Sequence, residues 1–323
     1  MGKLKNKYIF REIIKRAVKI NGFLLRSIMP LRNEYDIKGK IQPVYIIGCP
    51  RTGSSILYQI LTQKLDVLYL DNLADVLHPN LLLGMSLSKK FFDNKPHNCF
   101  SSVEGDTWAC GLHAPSESGD FWYQYLPKDR HFIDYADFNE KHVRDFQRQI
   151  FSVIQKFEKP FLFKNLNAGQ RMRLLSKVSP DAKFIYVKRD FHGTAFSILN
   201  SRNRLGKSNS DWWSIKPKDY NDLFGENVYE LIVNQMFYLG KQIAEDASLF
   251  GKKNIISVDY KDLYENYDNT LNRLKEFIGA ELRTGRVKEP ELKQRAGKVR
   301  DNKEEEMFLK YYEKYNWDET EIK

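Results

Sequence analysis

The feature that most constrains this sequence is a glycine turn placed between an apolar run and a helical pattern. The apolar run, Pro43–Gly48, has the length and composition of a buried strand. The turn that follows, Gly48–Ser55, reads GCPRTGSS, and a helical pattern extends from it to about Lys64. A glycine turn at a helix N-terminus lets backbone N–H groups approach an anion closely. The sequence therefore predicts a strand–turn–helix unit that binds phosphate.

The turn has the glycine spacing of the nucleoside triphosphatase loop, GxxxxGK[ST], but Ser54 stands in the position of the lysine. That lysine reaches the β- and γ-phosphates, so its absence favours a nucleotide with a single phosphate at the sugar 5′ position. The alternative is an ordinary helix N-terminus capped by Ser54 or Ser55. The predicted phosphate-binding residues are Arg51, Thr52, Gly53, Ser54 and Ser55.

Short apolar runs and helical patterns alternate along the rest of the chain. The runs are Phe161–Lys164, Phe184–Val187 and Ile255–Val258, and the helical patterns cover 141–157, 170–178, 193–204, 227–248 and 269–278. Strands that alternate with helices favour a parallel sheet covered on both faces. The predicted fold class is therefore α/β, a three-layer sandwich with a central parallel sheet flanked by helices.

Two segments, 96–130 and 204–226, do not follow this alternation and are rich in Trp, Gly, Ser and Asp. We interpret them as loops or lids inserted in one domain that spans residues 41–323. Their aromatic side chains suit the faces of sugar rings, although lipid, phenol or steroid acceptors and a place in the core are alternatives. These side chains are Trp108, Trp122, Tyr123, Tyr125, Trp212 and Trp213.

Most of the net charge of +10 lies in residues 1–40, which carry 11 lysines and arginines against three acids. The remaining chain is nearly neutral, so no basic stripe indicates a nucleic-acid partner. Apolar and basic side chains of this N-terminal extension follow helical spacing on different faces. The pattern predicts a basic amphipathic helix within residues 1–30 that either rests on an anionic membrane surface or packs on the body.

The three cysteines, Cys49, Cys99 and Cys110, are too few for a disulfide framework, which favours a reducing compartment. The sequence has no apolar run of 18 or more residues and no signal-peptide pattern in residues 1–30. We therefore expect a cytoplasmic protein, peripheral on the inner face of the membrane if the N-terminal helix binds lipid. A structural zinc site made by His97, Cys99, Cys110 and His113 is an alternative use of two of these cysteines.

A second candidate phosphate site follows the predicted strand Phe184–Val187. Arg189 stands at the end of this strand, and Ser197 lies eight residues later on a helical pattern. A guanidinium forks onto phosphate oxygens, and a hydroxyl on the helix adds another donor. The alternative is that Arg189 and Asp190 form only a surface ion pair.

Together, Cys49–Ser55 and Lys188–Arg202 resemble the two donor-binding motifs of the sulfotransferase family, whose members use 3′-phosphoadenosine-5′-phosphosulfate. The resemblance implies a fold related to P-loop kinases, a 5′-phosphosulfate loop at Pro50–Ser55 and a 3′-phosphate site at Arg189 and Ser197. It also implies transfer of a sulfuryl group to an acceptor hydroxyl, with adenosine 3′,5′-bisphosphate as the product. No metal is expected for this chemistry.

The resemblance extends over about residues 43–280. The segment 258–263 is similar to the family's Tyr-Glu-Asp-Leu segment, and 212–217 looks like a segment common in bacterial members. One departure is Phe191-His192, where the family often has Pro followed by Arg or Lys. The aromatic side chains of the two lids favour a glycan as the acceptor, and membrane contact of the N-terminal helix would favour a lipid-linked glycan or glycolipid.

Sulfuryl transfer needs a group that stabilises the departing phosphate and a base for the acceptor proton. Arg51 is the candidate for the first role. Lys164, in a segment similar to the family's Lys-Ser/Thr-Pro, would neutralise the sulfonate or orient the acceptor, unless it is an ordinary strand-end lysine. Glu117 is the first candidate base because its segment resembles a carboxylate segment of the family, and His113 is the second. Glu104, Asp106 and Asp120 are left as other candidates.

Two other functions remain open from the sequence. A nucleoside or nucleotide kinase shares the loop topology, and Ser54 in the place of the lysine counts against it. A non-catalytic nucleotide-binding membrane adaptor would keep Arg51, Arg189 and Ser197 and would transfer nothing to an acceptor.

Overall fold

Four short parallel strands form the centre of the chain. The computed structural model describes residues 34–93, 95–283 and 302–322, together with Glu12, Arg16, Leu25, Ile28, Pro30 and Leu31. The strands are β1 (Pro43–Gly48), β2 (Phe161–Lys164), β3 (Lys183–Lys188) and β4 (Ile255–Asp259). They pair in parallel in the order β2-β1-β3-β4. Ile46 lies opposite Lys164 and Gly48 opposite Val187, so the glycine turn and Lys164 meet at one edge of the sheet.

The described helices cover both faces of this sheet and its ends. They are α1 (Ser54–Lys64), α2 (Asn72–Val76), α3 (Leu81–Phe92), α4 (Gly119–Trp122), α5 (Glu140–Phe157), α6 (Met172–Val178), α7 (Phe191–Arg204), α8 (Val228–Ala247), α9 (Asp262–Glu265), α10 (Tyr267–Ile278) and α11 (Asn302–Tyr312).

The side chains of β1 alternate between two apolar clusters, and every residue of this strand is buried. Tyr45 and Ile47 belong to the cluster that includes side chains of α5, α6 and α8. Val44 and Ile46 belong to the cluster that includes side chains of α1 and α10. A sheet that is apolar on both faces must be covered by helices on both faces. The predicted three-layer α/β fold with a central parallel sheet is therefore confirmed.

Two of the three cysteines are paired, because Cys99 and Cys110 form a disulfide. Their Cα atoms lie 5.7 Å apart. The chain reverses between them, where Val103 and Asp106 exchange backbone hydrogen bonds of 2.9 Å and Gly105 takes a φ of 91°. Spacing along the sequence does not reveal such a reversal. The cysteine content therefore no longer supports a reducing compartment.

The structural zinc site considered at His97, Cys99, Cys110 and His113 is wrong. The two sulfur atoms are joined in the disulfide. His97 Nε2 lies 2.9 Å from the Thr62 hydroxyl, and its Nδ1 accepts a 3.2 Å hydrogen bond from the Cys99 N–H. His113 is engaged by Asp71 Oδ2 at 3.2 Å and by a backbone carbonyl.

The predicted amphipathic helix of residues 1–30 lies almost wholly outside the described residues. Leu25 packs against Val76 and Trp108, and its carbonyl accepts a 3.1 Å hydrogen bond from the Asn80 amide. Ile28 is 63% exposed. None of the described helices combines the length and apolarity needed to cross a membrane.

The buried imidazole of His97 makes stability depend on pH. His97 is only 2% exposed. Burial lowers its pKa to about 3, and the charges of His113 and Arg283 contribute in the same direction. Because the unfolded chain binds a proton below about pH 6.5 and the folded chain does not, the free energy of unfolding falls as pH drops from there towards 3.

We expect the free energy of unfolding of the wild type to fall by roughly 2 kcal/mol from this residue between pH 7 and about pH 5. Urea unfolding of the wild type and of His97→Asn at both pH values measures this effect. The Asn variant should show a smaller fall, because its amide does not titrate. An equal fall in both proteins would show that His97 does not cause the pH dependence.

Candidate active site

A cavity of about 1800 Å³ lies at the carboxyl ends of the strands. Open α/β sheets bind their ligands at this edge. The glycine turn, the ends of β2 and β3, and parts of segments 96–130 and 204–226 line the cavity. Most of the predicted site residues are among its lining residues; Thr52, His113 and two of the other candidate bases, Asp106 and Asp120, are not.

The glycine turn has the backbone geometry of an anion cradle. Gly53 is the N-cap of α1 with a φ of 91°, and Arg51 has a φ of 70°. A Cβ on Gly48 would lie 2.6 Å from the Val187 carbonyl oxygen, so only glycine fits where the turn leaves the sheet. Within the described chain no side chain caps α1. The alternative of an ordinary helix start capped by Ser54 or Ser55 is therefore wrong, and the first-turn N–H groups have no intrahelical acceptor.

A hydrogen bond between Thr52 and Cys49 stabilises the turn internally. The Thr52 hydroxyl donates a 2.9 Å hydrogen bond to the Cys49 carbonyl, and the Thr52 side chain is buried. The Thr52 hydroxyl is therefore already engaged, and Thr52 would bind a phosphate through its backbone N–H. Burial raises the pKa of the Cys49 thiol to about 12, so the thiol stays protonated at neutral pH.

The two predicted phosphate motifs come into direct contact, although they are more than 130 residues apart in the sequence. Arg51 Nε donates a 3.0 Å hydrogen bond to the Ser197 hydroxyl, and Arg189 Nη1 donates one of 3.2 Å to the Arg51 carbonyl. Tyr260 lies against both motifs, with its ring 4.8 Å from the Arg189 guanidinium and its edge over Gly53. Sequence reasoning assigned Tyr260 no role. Its position directly after β4, at the same sheet edge, is the signal that could have identified it.

Glu117 and Lys164 form an ion pair beside the turn. The Lys164 side chain is 4% exposed, whereas the Glu117 side chain is 32% exposed. Glu117 Oε1 also accepts a 3.5 Å hydrogen bond from Ser55, and the Glu117 carbonyl accepts one of 3.0 Å from Asn165. The carboxylate is thus held between the phosphate turn and the end of β2, with one side open to the cavity. Lys164 pairs with this carboxylate instead of extending to solvent.

His113, the second candidate base, does not line this cavity. Its ring stacks on Phe92 with a centroid distance of 4.1 Å. Its Nδ1 lies 3.2 Å from Asp71 Oδ2, and its Nε2 lies 2.7 Å from the Lys95 carbonyl oxygen. Both ring nitrogens therefore have hydrogen-bond partners, one at the start of α2 and one in the segment after α3.

Glu104 places a carboxylate among the cations of the site. Its Oε2 lies 3.5 Å from Arg51 Nη1, and its Oε1 pairs with Arg204. Sequence reasoning left Glu104 as one of several candidate bases and gave Arg204 no role. The reversal at Gly105 carries Glu104 to Arg51 and sets Gly105 against the Glu117 carboxylate.

A phosphate that binds Arg51 must compete with Glu104. We therefore expect Glu104→Gln to tighten the binding of adenosine 3′,5′-bisphosphate about fivefold, the equivalent of one exposed ion pair of about 1 kcal/mol. Titration calorimetry measures this affinity. Glu304→Gln, which removes another carboxylate of the cavity lining, is the matched control. Equal affinities for the wild type and the Glu104 variant would show that Glu104 does not compete.

The chain was compared with known sequences and solved structures. No curated protein sequence matches the chain significantly. Among solved structures, the sulfotransferase STF9 from Mycobacterium avium is 17% identical with a TM-score of 0.46, and the match covers 75% of this chain and 64% of that one. Sulfotransferase STF1 from Mycobacterium tuberculosis is 12% identical with a TM-score of 0.47, over 87% of this chain and 76% of that one. A sulfotransferase from Alicyclobacillus acidocaldarius is 13% identical with a TM-score of 0.46, over 85% and 93%.

The family assignment comes from the sequence profile of the sulfotransferase family, which matches residues 43–284. The matched range contains all four strands, the glycine turn, Arg189 and Ser197, and the Glu117–Lys164 pair. It covers most of the chain, so the protein belongs to the sulfotransferase family.

Proposed function

We propose that this protein transfers a sulfuryl group from 3′-phosphoadenosine-5′-phosphosulfate to a hydroxyl of a glycan or glycolipid. The observation that carries the proposal is the convergence of three groups in one cavity. They are the uncapped glycine turn, the Arg189–Ser197 pair and the Glu117–Lys164 ion pair. A phosphate cradle beside a carboxylate fits a reaction in which a nucleotide phosphate leaves and the acceptor hydroxyl gives up a proton.

The donor end supplies positive charge and N–H groups at two points. The N–H groups at the start of α1 and the Arg51 guanidinium would hold the 5′-phosphosulfate. Arg189 and the Ser197 hydroxyl would hold the 3′-phosphate. Tyr260, which contacts Arg189 and lies over Gly53, would hold the Arg189 guanidinium in position. These residues fit a nucleotide with phosphates on both the 3′ and the 5′ oxygen.

The acceptor end supplies the base. Glu117 would accept the proton of the acceptor hydroxyl while the acceptor oxygen forms its bond to sulfur. The bond from sulfur to the bridging phosphate oxygen breaks, and adenosine 3′,5′-bisphosphate leaves. Arg51 would stabilise the negative charge that builds on that phosphate. Lys164, beside Glu117, would keep the sulfonate oxygens neutralised during transfer.

The glycan proposal rests on the part of the cavity lining that adjoins the Glu117–Lys164 pair. Tyr123 and Trp213 line it together with the amides of Asn165 and Asn167. Aromatic faces with nearby hydrogen-bonding groups suit sugar rings. Trp108 and Trp122 are buried in the structure and are not among the lining residues.

The experiment that tests the donor assignment compares two nucleotides by titration calorimetry. Adenosine 3′,5′-bisphosphate should bind at least tenfold more tightly than ATP, because Arg189 and Ser197 recognise the 3′-phosphate and Ser54 replaces the lysine that would hold a γ-phosphate. Tighter binding of ATP would support the kinase alternative and refute the proposal.

A further inference from the structure

A buried arginine without a counter-charge lies behind one corner of the cavity, against the lining residue Tyr123. Arg171 follows the turn Leu166–Gln170 and is 1% exposed. Its guanidinium lies 4.9 Å from the centre of the Tyr123 ring and interacts with that side chain, and within the described chain no carboxylate pairs with it. Burial lowers its pKa to about 10, so it remains charged at neutral pH. A buried, unpaired charge is costly, and proteins seldom keep one without a use.

Arg173, in the first turn of α6, shows what a structural arginine looks like beside Arg171. Its Nη1 donates a 2.8 Å hydrogen bond to Asp134, and its Nε donates one of 3.0 Å to Asp246. Arg171, two residues earlier, forms no ion pair with any described carboxylate. The contrast indicates that the charge of Arg171 compensates an anionic group that is not part of the described chain.

The cavity-lining side chains next to Arg171 present hydrogen-bond donors. His131 Nδ1 accepts a 2.7 Å hydrogen bond from the Lys216 N–H, so the neutral ring carries its proton on Nε2. Burial, together with the charges of Arg171 and Lys216, lowers the pKa of His131 to about 4, which keeps the ring neutral. The Tyr123 hydroxyl accepts a 3.0 Å hydrogen bond from Asn167 Nδ2 and keeps its own proton to donate.

This corner adjoins the proposed acceptor site. Asn165 donates to the Glu117 carbonyl and accepts a 3.1 Å hydrogen bond from the Asn167 N–H. The turn after β2 therefore carries both the support of Glu117 and the partner of Tyr123. A molecule that presents a hydroxyl to Glu117 would place a neighbouring substituent near Tyr123 and His131.

We propose that the acceptor is anionic, and that a carboxylate or phosphate ester of it binds at the corner formed by Tyr123, His131 and Asn167, in front of Arg171. Tyr123 and His131 would donate hydrogen bonds to the anion, and Arg171 behind them would supply the compensating charge. The inference rests on the proposed function, because it names the class of acceptor that the same cavity takes.

The test uses inorganic phosphate and acetate as probes of a protein whose donor site is saturated with adenosine 3′,5′-bisphosphate. Thermal unfolding is followed in each anion and in chloride at equal ionic strength. We expect one of the two anions to raise the Tm of the wild type by about 3 °C at tens of millimolar. A larger shift in phosphate indicates a phosphate ester, and a larger shift in acetate indicates a carboxylate.

Arg171→Met should lose at least two thirds of the anion-dependent shift and should not unfold at a lower temperature than the wild type without the anion. Tyr123→Phe, which keeps the ring over Arg171, should lose part of the shift. Arg173→Met is the matched control and should keep the full shift while unfolding at a lower temperature.

Three results would overturn the inference: no shift in the wild type, a full shift in Arg171→Met, or a fall in Tm for Arg171→Met as large as that for Arg173→Met. A failure of the proposed function would look different. In that case adenosine 3′,5′-bisphosphate itself would not stabilise the wild type, whatever the added anion does.

Discussion

We expect Glu117→Gln to lower turnover on the order of 10²-fold or more and to leave the affinity for adenosine 3′,5′-bisphosphate unchanged. The amide has the size of the carboxylate but cannot accept the proton of the acceptor hydroxyl. The Glu117 carboxylate contacts Lys164 and Ser55 beside the phosphate turn, and Asn165 holds the Glu117 backbone carbonyl. Loss of turnover without loss of donor binding is therefore the signature of its role as the base.

The measurement pairs initial rates of sulfuryl transfer with calorimetric titration of the nucleotide. Glu304→Gln, another carboxylate of the cavity lining, controls for the removal of a negative charge from the site and should stay within a few-fold of the wild type. If Glu117→Gln also stays within a few-fold, Glu117 is not the base.

The second large effect is expected at Arg189. Arg189→Met should weaken the binding of adenosine 3′,5′-bisphosphate about 10²-fold, because hydrogen bonds to a charged phosphate contribute roughly 1.5–3 kcal/mol. The binding of adenosine 5′-phosphate should change little, because this nucleotide has no 3′-phosphate for the guanidinium to hold.

Calorimetric titration of both nucleotides into the wild type and the variant shows whether Arg189 binds the 3′-phosphate specifically or affects nucleotide binding in general. Lys188→Met removes the adjacent cation, which pairs with Glu321, and should change neither affinity appreciably. An equal loss of affinity for both nucleotides in Arg189→Met would show that the Arg189 guanidinium does not bind the 3′-phosphate.

The fold could be predicted because its strands are short, apolar and separated by amphipathic helices. Each of the four predicted strands is present, and the predicted helix 141–157 is observed as Glu140–Phe157. The helices α2 and α3 were not predicted. Their starts depend on the caps of Asp71 and Asn80, whose side chains accept hydrogen bonds from Ala74 and Leu83. Such caps are weak signals in a stretch where leucines cluster and no clear amphipathic face appears.

The donor side of the site could be anticipated because its residues lie at strand ends in recognisable local patterns. Arg51 and Arg189 follow β1 and β3, which are neighbours in the sheet, so their meeting follows from the parallel order. The residues that loops bring to the cavity and its surroundings could not be anticipated in this way. Glu104, the Cys99–Cys110 disulfide and Arg171 are positioned by loops whose course depends on tertiary contacts and not on periodicity.

The most direct test of the account is transfer of labelled sulfate from 3′-phosphoadenosine-5′-[³⁵S]phosphosulfate to an extract of glycans and lipids. The account predicts that the wild type moves the label into an organic product and forms an equal amount of adenosine 3′,5′-bisphosphate. Glu117→Gln should move on the order of 10²-fold less. Binding of adenosine 3′,5′-bisphosphate by the wild type, with no label in any glycan or lipid fraction, would contradict the account and support a nucleotide-binding adaptor.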